Sequence, residues 1–426
     1  MSNRQQLGRL EVLKRNPLII QLWAFLRGRE QEKRIRQELS YYRNLCSKQG
    51  IPFELDESTL RERLRERVAS RGISAKKQGA LHVAYATPLG NWERHNIPPA
   101  LKQFGAFTPF YLKERGFDSD SPDWLRNRRN LDRELIQFLR ETAPKVDVLV
   151  SYLSGWHISP ETIMTINRMG IATCAYWWDD RLSFRGSLQG GRFTGSEPLA
   201  SAYDLNLTNS SDSIMKYLAE GGLAMFWPEG ANPEHFRPLN LPLRYDVTFI
   251  GACYGQRPMY IGYLKKHGVR VEAFGPGWPN GSISEDQMVE IYNSSRINLG
   301  FCGIGYSMKE MCLKGRDFEV PMSGALYLTS EQRDLHRVYK VGEEVVTYSG
   351  KTDCLAKIRY LLDHGDESAR IREAARRRCL SGRRTPRDNG RGRRRPYSTS
   401  CGQPGGQRVA LRSYRDPDRD LGPEDR

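Results

Sequence analysis

Short apolar runs separated by helix-length segments recur through the chain in two series, and this doubled alternation limits its folds more than any single motif does. The first series comprises Leu81 to Tyr85, Val146 to Leu153, Ile171 to Trp178 and Leu205 to Thr208. The second, after a proline-rich stretch, comprises Val247 to Ala252, Val269 to Phe274, Ile297 to Phe301 and Ala325 to Thr329. Each run is strand-sized, and each intervening segment can hold a crossover helix, so each series predicts a parallel sheet covered by helices on both faces. The expected fold class is α/β, with two Rossmann-like doubly wound domains at 79–235 and 236–380. They join near residues 228–243 and face a cleft beyond the carboxyl ends of their strands, where such folds bind ligands.

The 426 residues carry 66 Lys and Arg against 50 Asp and Glu, and the excess sits at the ends. Residues 1–78 hold 18 basic and 9 acidic side chains, residues 381–426 hold 12 Arg and 6 acids, and residues 79–380 are nearly neutral at 36 against 35. A globular body built to bind nucleic acid would show a basic excess within the fold, so that class is disfavoured for the middle of the chain. Residues 1–78 read as a charged helical extension, exposed over 29–71, with one modest apolar stripe at Leu60, Leu64 and Val68. The last 46 residues have no Lys, Ile, Met, Phe or Trp, and predict a disordered basic tail.

None of the eight cysteines forms a CxxC pair or has a His at zinc-finger spacing, which suggests buried thiols in a reducing compartment. The apolar stretch Pro17 to Leu26 is about half the ~20 residues that span a bilayer, and no cleavage pattern follows it. A cytoplasmic location is expected. Because Lys14, Arg15, Arg27 and Arg29 flank that stretch, residues 14–29 also offer a peripheral contact at the inner membrane surface, with packing on the body as the alternative.

Several residues have chemistry suited to a cleft. Asp246-Val-Thr-Phe-Ile-Gly-Ala-Cys-Tyr-Gly-Gln-Arg257 reads as a strand, a glycine turn at Gly251 and a helix starting near Pro258. Such a turn presents backbone N–H groups to an anion, and Arg257 adds a charge-assisted bond to phosphate. Phe274-Gly-Pro-Gly-Trp278 forms a second glycine turn, at Gly275. In the stretch from Lys309 to Thr329, Glu319 suits two adjacent sugar hydroxyls, while Lys314 and Arg316 suit phosphates. In the first domain, Tyr152-Leu-Ser-Gly-Trp-His157 and Trp177-Trp-Asp-Asp180 follow strands, which brings His157, Asp179 and Asp180 to the cleft mouth. Asp180 or His157 is then a candidate base for an acceptor hydroxyl. Asp118-Ser-Asp120 reads as helix capping rather than metal chelation.

Lys314-Gly-Arg-Asp-Phe-Glu-Val-Pro-Met-Ser-Gly-Ala-Leu-Tyr-Leu-Thr329 resembles the donor-site signature of the CgeB-like, spore-maturation glycosyltransferases, a branch of the GT-B group. Pro228-Glu-Gly-Ala-Asn-Pro-Glu-His-Phe-Arg-Pro238 is similar to a linker-proximal motif of that group. The resemblance covers residues 80–380. It implies a metal-independent, hexosyltransferase-like enzyme that moves a sugar from a nucleotide-diphosphate donor to a glycan, lipid or protein acceptor. The nucleotide sugar is then a co-substrate, and no cofactor is required.

By the same resemblance Glu319 holds the donor ribose, the turn containing Gly251 and Arg257 faces the diphosphate, and Lys314 or Arg316 neutralises the leaving group; Gly275 is a further donor-side residue. Gly324 stands on the donor side, with Gly90 and Asp179 on the acceptor side. Many relatives carry a second glutamate where this chain has Met311, with Glu310 adjacent. If configuration is retained, as the resemblance implies, Asp180 and His157 position the acceptor instead of acting as bases. Two alternatives stay open: an inactive GT-B-like binding protein, since the resemblance implies a closing helix back to the first domain where this chain enters its arginine-rich tail instead, and a nucleic-acid- or membrane-associated protein acting through its basic ends.

Overall fold

The structure is a computed structural model that describes residues 17–88, 91–307 and 309–381. Gly90 and the tail expected to be disordered lie outside the described residues, apart from Ser381. The first domain contains β1 (Leu81–Thr87), β2 (Gly105–Tyr111), β3 (Val148–Ser151), β4 (Ala172–Trp177), a small hairpin of β5 (Leu188–Gln189) and β6 (Arg192–Phe193), β7 (Leu205–Thr208) and β8 (Ala224–Phe226). Apart from the hairpin, these strands form one sheet in the order β2-β1-β3-β4-β7-β8, with every pair parallel. The second domain contains β9 (Tyr245–Ile250), β10 (Val271–Phe274), β11 (Ser295–Leu299), β12 (Tyr327–Ser330) and β13 (Val346–Tyr348). Their order is β10-β9-β11-β12-β13, again all parallel.

In both sheets the chain steps to one side of the first strand and then returns to the other. The order therefore reverses between β1 and β3 and between β9 and β11, which opens a crevice at the strands' carboxyl ends. Of the strands in the two parallel sheets, β2, β8 and β13 are not evident as apolar runs, nor are the two hairpin strands. β2 is an edge strand with Gly105 at its start and Pro109 inside it, and a ladder tolerates proline at an edge. β8 and β13 are three residues each, too short for a periodic signal.

Leu131, Leu135 and Leu139 of the Trp124–Glu141 helix pack with Ile163 and Ile166 under the first sheet. Ile261 and Leu264 pack with Leu355 and Ile358 around the second. Asp118 and Asp120 do not cap a helix as expected. The Asp120 N–H donates to Asp118 Oδ1 at 3.1 Å and Lys113 pairs with both carboxylates, while the helix begins after Asp123. The pair forms a salt-bridged turn.

The N-terminal helix, Pro17–Gln49, corrects the reading of residues 29–71 as exposed. Ile35, Leu39, Tyr42 and Cys46 recur every three or four residues and are buried in a core shared with Phe184, Ile214 and Met215. On the first domain, Glu38 pairs with the buried Lys216 at 2.6 Å, and the Tyr42 hydroxyl donates to Glu220 at 2.8 Å. On the second, Gln31 accepts from the Tyr306 N–H at 2.9 Å, Glu32 accepts from the Ser307 hydroxyl at 3.0 Å, and Arg36 pairs with Glu310 at 3.3 Å. One helix thus ties both domains. The last described helix, Gly365–Ser381, packs instead on the second domain, where Arg378 pairs with Glu344 at 2.9 Å. Among the described residues no helix is long and apolar enough to cross a membrane.

Gly28 lies where the N-terminal helix meets the second domain, and a Cβ there would stand 2.4 Å from the Tyr306 carbonyl oxygen. In an isolated helix Gly→Ala gains up to about 1 kcal/mol. Here the sign is expected to reverse: Gly28→Ala should lower the urea midpoint, and Ile35→Ala should cost about 2–5 kcal/mol by cavity formation in the same assay.

Candidate functional site

A cavity of about 570 Å³ opens between the domains at the two sheet crevices, within the size range of small-ligand sites. Two glycine turns form one wall. Gly251, at the end of β9, donates its N–H to the Phe274 carbonyl at 2.8 Å, and its own carbonyl accepts from the Trp278 indole at 2.7 Å. Gly275 has φ +123°, and a Cβ on it would lie 2.6 Å from the Gly251 carbonyl oxygen, so only glycine lets the two turns pack this closely.

Two guanidinium groups converge on Gly251. A Cβ there would sit 3.0 Å from Arg316 Nη1 and 3.6 Å from Arg257 Nη1. Arg257, the first residue of the Arg257–Lys266 helix, donates to the Ala252 carbonyl at 2.9 Å and to the Tyr254 hydroxyl at 3.2 Å. Burial, and then the charge of Arg316, push its pKa down to about 10. Arg316 Nε and Nη2 are buried without a hydrogen-bond partner. Two adjacent cations with open donors favour an anion between them.

Local chemistry holds Arg316 and Glu319 in place. Asp317, fully buried, accepts from the Lys314 N–H at 2.8 Å and from the Tyr327 hydroxyl at 2.7 Å, which pins the start of the Arg316–Met322 helix. Pro321 lies inside that helix and cannot donate to the Asp317 carbonyl one turn back. The Tyr339 hydroxyl takes that role at 2.8 Å. The helix is short and still leaves no orphaned acceptor there.

Glu319 lines the cavity and accepts from the Tyr292 hydroxyl at 3.1 Å. Glu229, from the linker-proximal motif, faces it across Gly315: a Cβ there would lie 2.8 Å from Glu319 Oε1 and 3.3 Å from Glu229 Oε2. Burial raises the Glu229 carboxyl to about 8 and the Glu319 carboxyl to about 7, although Lys314 and Arg316 respectively pull them down. Glu229 went unnoticed because it was read only as part of a linker; its neighbours Asn209 and Lys314 are remote in the chain.

The sequence candidates Gly251, Arg257, Gly275, Lys314, Arg316 and Glu319 all line this cavity, and Asp179 joins them from the first domain. Others are placed elsewhere. Asp180 is fully buried, with the Tyr217 hydroxyl donating to its carboxylate at 3.2 Å, and burial raises it to about 6. His157 packs against Trp124, its Nδ1 accepts from the Ser154 N–H at 3.3 Å, and burial lowers its pKa to about 3. Neither residue lines the cavity, because each turns into the core directly after its strand. Gly324 ends the Arg316–Met322 helix at φ +70° against Pro238, outside the lining. Glu310 forms ion pairs with Arg181 at 2.9 Å and with Arg36, which makes it an interdomain tie.

The raised Glu229 and Glu319 carboxyls make one contribution to the pH dependence of the ligand-free protein, and buried neutral His157 makes an opposite one below its ordinary 6.5. At the two carboxyls the unfolded chain ionises near the ordinary 4.5, before the folded one does. The folded state then holds more protons, so stability contributed by these carboxyls should fall as pH rises from about 4.5 to about 8 and level off above. Urea midpoints should decline between about pH 6.5 and 8, above the range in which His157 opposes the trend, and Glu229→Gln should flatten that decline.

Residues 258–387 match the family model described as glycosyl transferase-like. A comparison with curated protein sequences gives no match. Among solved structures the chain is similar to a glycosyltransferase from Rickettsia africae, at 14% identity and TM-score 0.50, covering 71% of this chain and 94% of that one. It is also similar to sucrose-phosphate synthase from Thermosynechococcus elongatus, at 11% identity and TM-score 0.52, covering 70% and 94%. Identities this low establish the fold alone. The chain has the GT-B fold, and its second domain is similar to the glycosyl transferase-like family.

Proposed function

We propose that this protein is a GT-B glycosyltransferase of the CgeB-like branch that transfers a hexose from a nucleotide-diphosphate sugar bound to its second domain. The observation that carries the reading is the Arg257–Arg316 pair around Gly251, with two buried Arg316 donors still open and the Glu319 carboxyl in the same cavity. The diphosphate spans the two guanidinium groups, and Glu319 accepts from the ribose hydroxyls. Charge developing on the leaving phosphate is met by Arg257, Arg316 and Lys314, which does the electrostatic work a metal ion otherwise does.

Asp179 lies across the cavity and orients the acceptor hydroxyl. With Asp180 and His157 buried away from the lining, the reading favours retention of configuration, in which neither acts as a base. A protonated Glu229, favoured by its raised pKa, donates to the sugar or to the leaving oxygen.

The start of the N-terminal helix presents an apolar surface. Leu22, Phe25 and Leu26 of the N-terminal helix are more than half exposed beside Arg27 and Arg29, which supports peripheral contact with an anionic membrane and an acceptor presented there. The reading places the protein at the cytoplasmic face, and the seven described cysteines are unpaired, as a reducing compartment favours.

A thermal-shift screen against UDP-, GDP- and dTDP-sugars should give stabilisation by one nucleotide class. Arg316→Ala, which removes charge-assisted bonds worth about 1.5–3 kcal/mol, should weaken that ligand about 10–100-fold, and Glu319→Ala should abolish its shift. A folded protein that responds to none of them would overturn the reading. In co-sedimentation, anionic vesicles should retain the wild-type chain and release it when Leu22, Phe25 and Leu26 are changed to Ser.

A further inference from the structure

Three metal-ligating side chains from distant parts of the chain meet between the domains. His95 follows the Asn91–Arg94 helix of the first domain, His235 lies in the linker-proximal motif, and Glu285 opens the Glu285–Asn293 helix of the second. Each is held by its own backbone. The Asn232 N–H donates to Asn96 Oδ1 at 2.8 Å, which brings the linker against the His95 loop. Ser284 and Gln287 form a reciprocal capping box that fixes the first turn carrying Glu285.

The two imidazoles stack with centroids 4.1 Å apart and planes 9° from parallel, and His95 Nε2 pairs with Glu285 Oε2. One ligand atom from each of the three residues lies within 4.8 Å of the other two. His235 Nε2 is buried and has no hydrogen-bond partner. A buried ring nitrogen left open beside a second imidazole and a carboxylate needs an explanation, and neither the core nor the sugar-nucleotide reading supplies one.

We propose that His95, His235 and Glu285 bind a divalent cation of the zinc type, and that the ion clamps the two domains together at the rim of the cleft. Two imidazoles and one carboxylate suit Zn²⁺, whereas Mg²⁺ and Ca²⁺ prefer oxygen-only shells. Zinc bonds of about 2.0–2.2 Å put tetrahedral ligands about 3.4 Å apart, so binding draws the three groups together by roughly 1 Å. That movement closes the domains, because the ligands come from both and from the segment between them. Of the surrounding charges, Asp286 favours the cation, while Arg94 and Arg237 oppose it.

Isothermal titration of the chelator-stripped full chain with ZnCl₂ should give one saturable site. His235→Asn and Glu285→Gln should each weaken it at least about tenfold. His267→Gln and His364→Gln, at exposed histidines outside the cluster, should leave it unchanged. Co²⁺ in place of Zn²⁺ should give visible d–d absorption that both cluster variants lose, and Zn²⁺ should raise the melting temperature and reduce the radius of gyration of the wild type only. Absence of saturable binding would overturn the proposal. So would equal binding by wild type and by Glu285→Gln with an unchanged circular dichroism spectrum, and binding with no change in melting temperature or radius would overturn the clamp. All these readouts use the metal alone and stand apart from sugar transfer.

Discussion

The buried carboxylate of Asp317 organises the second domain's contribution to the cleft. It accepts from the Lys314 N–H and the Tyr327 hydroxyl, while its own carbonyl, freed by Pro321, is taken by Tyr339. These bonds join a loop, a strand and a distant turn at one residue. Lys314, Arg316 and Glu319 lie within three residues of it and line the cavity because that start of the helix cannot rotate. A buried acid with several donors is costly to disturb, since losing one leaves the rest of the network underpaired.

Around that anchor the cavity combines groups that oppose one another when it holds no ligand. Arg257 and Arg316 repel each other beside Gly251, and Glu229 and Glu319 are pushed towards protonation by burial. On the proposed reading, a ligand with a diphosphate at one end and hydroxyls at the other relieves both strains. Part of its binding energy is therefore stored in the protein as charges brought together before the ligand arrives.

The domains are tied outside the cavity as well. The N-terminal helix buries its apolar stripe mainly on the first domain, reaches the 306–310 segment of the second through Gln31, Glu32 and Arg36, and shares Glu310 with Arg181. The His95, His235 and Glu285 cluster joins the domains at the cleft rim. Relative motion of the two sheets is thus limited both by these polar contacts and by an apolar core that the two domains share.

Local pattern in the chain determined the two parallel sheets and most of their strands, because strand-length apolar runs alternating with helix-length segments are buried on both faces in a doubly wound layer. It also marked the cavity-lining groups: Gly251, Arg257 and Gly275 follow strands, where topology brings them to the crevice, while Lys314, Arg316 and Glu319 stand at the start of the helix that leads into β12. Tertiary structure alone decided the remainder. Asp180 and His157 also follow strands, yet the core claims them, since direction after a strand depends on the next packing contact. Charge density made the N-terminal helix look solvated, but its buried stripe at Ile35, Leu39, Tyr42 and Cys46 has meaning only against Phe184 and Ile214. Glu229 beside Glu319, and His95 beside His235 and Glu285, are contacts between residues remote in the chain, and sequence spacing carries no signal for a distance that folding alone creates.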